Sequence, residues 1–308
     1  MTETHFPRVP RLRGRRALGR GTRAHLRERR AAGLEGRDRR GGRPGSVADR
    51  VDHSYAQLGG PVMAEQGERQ RVTVVTGGSR GIGAAICLRL AAEGHDVAIG
   101  YRSDAEAAEG VAEGVRALGR AAVTIAVDTA DAADVDRLFD TAAAQLGPVT
   151  GLVNNAGVSG PVGPLAGADP DGMRQALEVN VLGYLLCARR AIGDMTAGGA
   201  IVNISSAAAT LGSPGTYVHY AAAKAAVDAM TVGLSKEVAA DGIRVNCVAP
   251  GTIWTEFHAD PQRPAKVAAI TPTGRAGRPE EIAGAVAWLL SDDASYATGT
   301  VMRIAGGM

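Results

Sequence analysis

The chain has 308 residues, 45% of them hydrophobic and 21% charged, with a net charge of +2. That is enough apolar material for one large α/β domain or two small ones. No apolar run is long enough to span a bilayer, no Cys or His cluster has metal-ligand spacing, and Cys87, Cys187 and Cys247 are too few, and too deeply set in apolar runs, for a disulfide framework.

The near-neutral total hides an asymmetry. Residues 1–62 hold fifteen Arg, no Lys and six acids, so the remainder is net negative. This first fifth is rich in Arg and Gly and shows no apolar periodicity, so no packed core is expected there. Three readings stand: a tail without function or a start placed too early, with Met63 as the real one; an arm attracted to nucleic-acid phosphate; or an Arg-rich transit segment, against which the six acids count. The first is favoured.

After Met63, strands and helices alternate. Strands are expected near 72–76, 96–101, 121–126, 149–154, 199–205, 243–248 and 300–304, and helices near 81–94, 104–118, 132–146, 171–195, 217–240 and 279–291. Apolar strands alternating with longer amphipathic segments imply a doubly wound parallel seven-stranded sheet with helices on both faces. No repeat and no second domain are visible.

The first strand runs into Gly77-Gly78-Ser79-Arg80-Gly81-Ile82-Gly83, which opens a helix. Glycines let backbone approach a phosphate, and a helix N-terminus offers it free N–H groups. The second strand ends at Tyr101-Arg102. A site for the ribose 2′-hydroxyl would carry Asp or Glu there; an Arg offers a fork of donors to a 2′-phosphate instead. Asp128 closes the third strand and is also placed to cap the next helix. Further along, Tyr220 and Lys224 are four residues apart on a predicted helix, hence on one face. An ammonium there lowers a phenol pKa from its usual value near 10 and fits Tyr220 for proton transfer.

Taken with Asn154-Asn155-Ala156-Gly157 after the fourth strand, Asn180 in the fourth helix, Ser205-Ser206 after the fifth strand and Pro250-Gly251 after the sixth, these motifs make residues 70–308 resemble the short-chain dehydrogenase/reductase family, single-domain type. The resemblance implies a Rossmann-type fold over residues 63–308 and hydride exchange between NADP(H) and a carbonyl or alcohol, with NADP preferred over NAD because Arg80 and Arg102 are both basic. It implies Asn180, Ser206, Tyr220 and Lys224 as catalytic: Tyr220 as acid/base, Ser206 orienting the substrate oxygen, Lys224 on the nicotinamide ribose, and Asn180 holding a relay water at a kink in its helix. Cofactor contacts are implied at Gly77, Ser79, Arg80, Gly81, Ile82, Gly83, Tyr101, Arg102, Asp128, Asn154, Gly157, Tyr220, Lys224, Pro250, Gly251, Ile253 and Thr255. The family further implies a homotetramer built on the helices of 132–195 and 171–240 and on the last strand, and the three cysteines, read as reduced core residues, point to a cytoplasmic protein.

The substrate walls are expected from residues 159–165, 207–219 and 254–273, with Trp254 and Phe257 on a lid. The stretch 207–219 has no charged cluster, so a strongly anionic substrate has no receiver there. Tyr217 is a candidate pocket residue and His219 a satisfied one. The Ser206–Tyr220 spacing is one residue longer than in many relatives, which bears on pocket shape. A non-enzymatic NADP-binding scaffold or sensor with a basic arm is the alternative, and a dehydratase or epimerase a more distant one.

Overall fold

The computed structural model describes residues 70–308. The three readings of residues 1–62 lie outside them. Seven strands follow in sequence: β1 (Arg71–Thr76), β2 (His95–Tyr101), β3 (Ala122–Ala126), β4 (Gly151–Asn154), β5 (Ala200–Ile204), β6 (Arg244–Pro250) and β7 (Val301–Ile304). All pair in parallel, in the spatial order β3-β2-β1-β4-β5-β6-β7. This is the doubly wound sheet expected from the strand–helix alternation. The strands read as near-continuous apolar runs because both faces are covered.

Nine α-helices flank the sheet or line its edge: α1 (Gly81–Ala92), α2 (Ala105–Ala117), α3 (Ala132–Leu146), α4 (Pro170–Leu177), α5 (Gly183–Asp194), α6 (Ala208–Leu211), α7 (Val218–Glu237), α8 (Arg263–Ala268) and α9 (Pro279–Leu290), counted among the described residues. Several start on side-chain caps, which satisfy first-turn N–H groups that have no partner within the helix. Asp104 accepts from Ala107 N at 3.0 Å, Asp131 from Ala133 N at 2.8 Å, and Asp169 from Gly172 N at 2.8 Å ahead of Pro170. Asp131, not Asp128, therefore caps α3.

Strand alternation sends successive side chains to opposite faces. Val72 and Val74 of β1 meet Leu138 and Phe139 of α3, while Val75 meets Ile86 and Leu90 of α1 and Val286 of α9. The two cores hold β1 rigidly at the centre. Its neighbours, β2 and β4, are reached by connections that leave in opposite directions, so a crevice opens beyond the carboxyl ends of β1 and β4.

The predicted helix over 171–195 is broken in the middle. Residues Glu178–Leu182 form a π-helical turn between α4 and α5. The Asn180 side chain donates to Ala176 O, four residues back, at 2.8 Å, and to Val158 O in the loop after β4 at 2.7 Å. An amide inserted beside the backbone ladder is a recognised cause of such a bulge.

Candidate active site

A cavity of about 600 Å³ lies at the crevice. Its floor is the glycine turn between β1 and α1. Helix α1 begins at Arg80, which has extended backbone and makes no side-chain cap, and its first turn carries no acid. Its first N–H groups therefore keep their affinity for an anion. At Gly83 any β-carbon would collide with Gly77 O, so the turn closes only around glycine. Asn155 pins the turn to β4: its Nδ2 donates to Thr76 O and Gly77 O, both at 3.0 Å. The loop after β6 crosses from the other side and brings the Thr255 methyl against Gly81.

Every residue expected at the cofactor lines this cavity except Asn154. Asn154 is fully buried and turned into the sheet, where its Nδ2 donates to Asn203 Oδ1 at 3.0 Å. Alternation along β4 explains this: the first Asn of the pair still belongs to the strand, and the second, Asn155, turns to the crevice. Arg102 is exposed but its guanidinium forms an ion pair with Asp128. Arg80 is exposed at the turn and makes no ion pair with a described residue. The glycine turn, uncapped helix and two basic rims fit a dinucleotide bearing phosphates.

Beyond the turn, Ser206, Tyr220 and Lys224 converge. Ser206 closes β5, and its hydroxyl accepts from Ala208 N at 3.1 Å. It also lies close enough to Tyr220 to favour the phenolate. Ser205 points the other way and donates to Lys224 O at 3.0 Å. Tyr220 and Lys224 sit one turn apart on α7 with both side chains buried. The ammonium lies 5.7 Å from the Tyr220 ring centroid. It donates to Ile204 O at 2.8 Å and to Tyr184 Oη at 3.1 Å.

That placement corrects the expected electrostatics. Burial pushes the Tyr220 phenol above its usual value, with the Tyr217 ring acting the same way and Ser206 opposing. Burial also depresses the Lys224 ammonium to about 8, against small opposing contributions from Cys247 and Asp228. The i,i+4 spacing brought the pair onto one face, but that face points inward, where loss of water disfavours both charged forms.

Asn180 does not line the cavity; it lies directly behind it. Its Oδ1 is buried without a hydrogen-bond partner, beneath Gly157, where a β-carbon would come within 2.8 Å of that oxygen and 3.7 Å of Lys224 Nζ. An orphaned acceptor beside an ammonium fits a water relay.

Three residues were not singled out from the sequence. Tyr184, fully buried on α5, donates to Ile204 O at 3.0 Å and accepts from Lys224. It stands four residues after Asn180, the one signal that could have found it. Arg263 opens α8 and reaches over the cavity to donate to Tyr217 Oη at 2.8 Å. A cation therefore does face the substrate end, supplied by the lid rather than by residues 207–219. Asn155 is the third. In the lid, Phe257 packs against Tyr220 with centroids 6.0 Å apart, whereas Trp254 is exposed and does not line the cavity. His219 is buried and its Nε2 bonds Ser159 O at 2.9 Å.

Among known proteins, the family model described as enoyl-(acyl carrier protein) reductase matches residues 77–308. The chain is 46% identical over 244 residues to the uncharacterized oxidoreductase YgfF of Escherichia coli K12, covering 77% of this chain and 99% of that one. It is 42% identical over 244 residues to a cis-4-hydroxycyclohexanecarboxylate dehydrogenase of Sinomonas cyclohexanicum, covering 77% and 96%. A solved short-chain dehydrogenase from Burkholderia cenocepacia J2315 in complex with NADP superposes with a TM-score of 0.74 at 38% identity, covering 77% of this chain and 97% of that one. With the sheet order, the glycine turn and the Ser–Tyr–Lys convergence in place, the chain belongs to the short-chain dehydrogenase/reductase family of oxidoreductases.

Proposed function

We propose that this chain is an NADP(H)-dependent oxidoreductase acting between a secondary alcohol and its ketone. The observation that carries the reading is the convergence of Ser206, Tyr220 and Lys224 at one end of a cavity whose other end is an uncapped, glycine-lined helix start. A relative in complex with NADP and another named for a secondary ring alcohol support it.

A bound reduced nicotinamide would supply the hydride that forms the new C–H bond. The chain supplies the rest. Ser206 donates to the substrate oxygen and aligns it. As the C=O π bond breaks, Tyr220 gives its phenolic proton to that oxygen, and the resulting phenolate is stabilised by Ser206 and the nearby ammonium. Lys224, held by Tyr184 and Ile204, would hold the ribose hydroxyls. Asn180 Oδ1 holds a water that returns the proton to Tyr220 through Lys224. Oxidation runs the same steps backwards. Gly77, Ser79, Gly81, Ile82, Gly83, Tyr101, Asn155, Gly157, Pro250, Gly251, Ile253 and Thr255 shape the cofactor's bed. Arg80 would hold the 2′-phosphate, with Arg102 beside it. Asp128 would face the adenine end of the cofactor.

The catalytic domain in this reading is residues 63–308, a cytoplasmic homotetramer. Exposed Leu177, Leu182, Leu185 and Val232 on the long helices, with Val301 on β7, are the apolar surface that assembly would cover. No helix among the described residues is long and apolar enough to cross a membrane, and the three cysteines are buried and unpaired.

The deciding measurement is NADPH and NADH oxidation against ketones, aldehydes, sugars and 3-oxoesters, by the wild type and Tyr220→Phe. Loss of one positioned acid lowers kcat by about 100-fold or more, while NADPH binding, followed by its fluorescence, is retained. NADPH bound tightly with no turnover across the panel would favour the scaffold reading, and no binding at all would sink both. Light scattering on the same preparation returns a tetramer's mass; a single-chain mass removes that part of the proposal.

A further inference from the structure

Arg263, from the segment 254–273, brings a charge to a pocket whose 207–219 wall has none, and its surroundings are unusual for a guanidinium. It lines the cavity shared with Ser206 and Tyr220. Its Nη2 donates to the phenol oxygen of Tyr217 at 2.8 Å, and its guanidinium carbon lies 5.2 Å from the Tyr217 ring centroid. Tyr217 in turn meets Tyr220 edge-on, with centroids 5.2 Å apart. The cation thus stands one aromatic ring away from the proton donor, on the lid side.

Asp260 feels the charge of Arg263 without pairing with it. No carboxylate among the described residues forms an ion pair with it. The nearest acid on its own segment, Asp260, is held by Lys266 at 2.7 Å and by Gln262 N at 2.9 Å. Glu178 and Glu256 line the same cavity, yet neither reaches it. Its Nε is buried and has no hydrogen-bond partner. A guanidinium carries five donors and no acceptor. Here one is engaged, by a neutral phenol, and a second is buried and idle. Leaving such a donor unmet is costly unless something meets it.

Part of the wall is apolar, beside the polar Glu178, Glu256 and His258. Leu211, Phe257, Val267 and Ile270 line the cavity around Arg263. An apolar wall ending in one unpaired, planar, forked cation matches a molecule with a hydrocarbon body and a carboxylate at its far end, because carboxylate geometry takes two parallel N–H donors.

We propose that Arg263 is a specificity-determining residue and that the substrates are oxo- or hydroxycarboxylic acids, with the acid remote from the reacting carbon and bound in bidentate fashion by Arg263 at the lid. This rests on the oxidoreductase reading above. It adds the charge of the substrate and the residue that receives it. The bound acid would meet the idle Nε, draw α8 over the cavity, and leave Tyr217 as a wall between the two polar ends.

The test compares 4-oxocyclohexanecarboxylate with its methyl ester and with 4-methylcyclohexanone, which keep the ring and lose the charge. kcat/KM with NADPH is measured for the wild type, Arg263→Gln and Arg263→Lys. The wild type favours the acid over the ester. Arg263→Gln lowers the acid-to-ester ratio by about 10- to 100-fold, the range of a lost charge-assisted pair, mainly through KM. Arg263→Lys restores part of it. NADPH affinity is the same in all three. A wild type that prefers the ester, a variant that lowers acid and ester equally, or one that weakens NADPH binding overturns the proposal and leaves Arg263 as a lid or cofactor residue. Turnover of neutral ketones without acid preference defeats this inference while the oxidoreductase reading stands. If none of the three is reduced, the acid is titrated into the NADPH-bound protein by calorimetry; no Arg263-dependent binding overturns the inference on its own.

Discussion

At the scale of single residues, the centre depends on groups that were deprived of water and then given particular partners. Lys224 shows this best. Burial would discharge it, yet Ile204 O and Tyr184 Oη accept from it and Tyr184 also offers its ring face, with the ammonium 4.8 Å from the centroid. Those contacts keep the ammonium in one place despite a pKa depressed to about 8. Tyr184→Phe removes one acceptor and leaves Ile204 O without that donor. The variant is expected to lose about 1–3 kcal/mol of stability. Because the lost acceptor favoured the charged form, the Lys224 pKa falls further and the alkaline limb of the kcat profile moves to lower pH. Urea unfolding and a pH–rate series check the two effects separately. An unchanged alkaline limb would mean that Tyr184 only packs. Arg263 is the opposite case, a buried donor with too few partners, and ligand binding is where such a donor is satisfied.

At the scale of elements, two local irregularities build the site. The π turn at Glu178–Leu182 turns Asn180 inward and ties α4 and α5 to the loop after β4. The glycine turn lets α1 begin close under β1. Gly83→Ala places a methyl group on Gly77 O, so either the turn or the start of α1 must shift. NADPH affinity is expected to fall by more than about 10-fold, since a misplacement near 1 Å can cost on the order of 100-fold, whereas the cores on both faces stay intact. Fluorescence titration measures the first and far-UV circular dichroism the second. Tight NADPH binding by the variant would show that the turn tolerates a side chain and that its glycines serve the fold alone.

At the scale of the whole molecule, the buried sheet also carries a pH dependence. His95 opens β2, where it is buried and bonded to Thr73 Oγ1 at 2.8 Å. Burial lowers its pKa to about 4, and Arg71 and Arg120 add to the effect while Asp96 opposes it. Between that value and the unfolded value near 6.5, the unfolded chain binds a proton that the folded chain refuses. Stability therefore falls as pH drops through this window, by up to about 3 kcal/mol. His95→Asn keeps a polar group near Thr73 and is expected to flatten the slope between pH 6.5 and 4.5 by about one proton. Urea midpoints across that range decide it; equal slopes in the two proteins would place the acid sensitivity elsewhere. The molecule's architecture was written in local patterns. Short β-branched runs, amphipathic stretches and their alternation determined the parallel sheet, and the glycine turn and the Tyr220–Lys224 spacing marked where its carboxyl ends would gather function. Those signals are legible because period and propensity act over a few neighbouring residues. What only the tertiary structure decided depends on contacts between distant segments: that Asn155 rather than Asn154 faces the crevice, that Tyr184 holds Lys224, that burial disfavours the Tyr220 phenolate, and that Arg263 brings a charge to a pocket whose own loop has none. Burial and pairing are properties of the assembled core, and no window of sequence carries them.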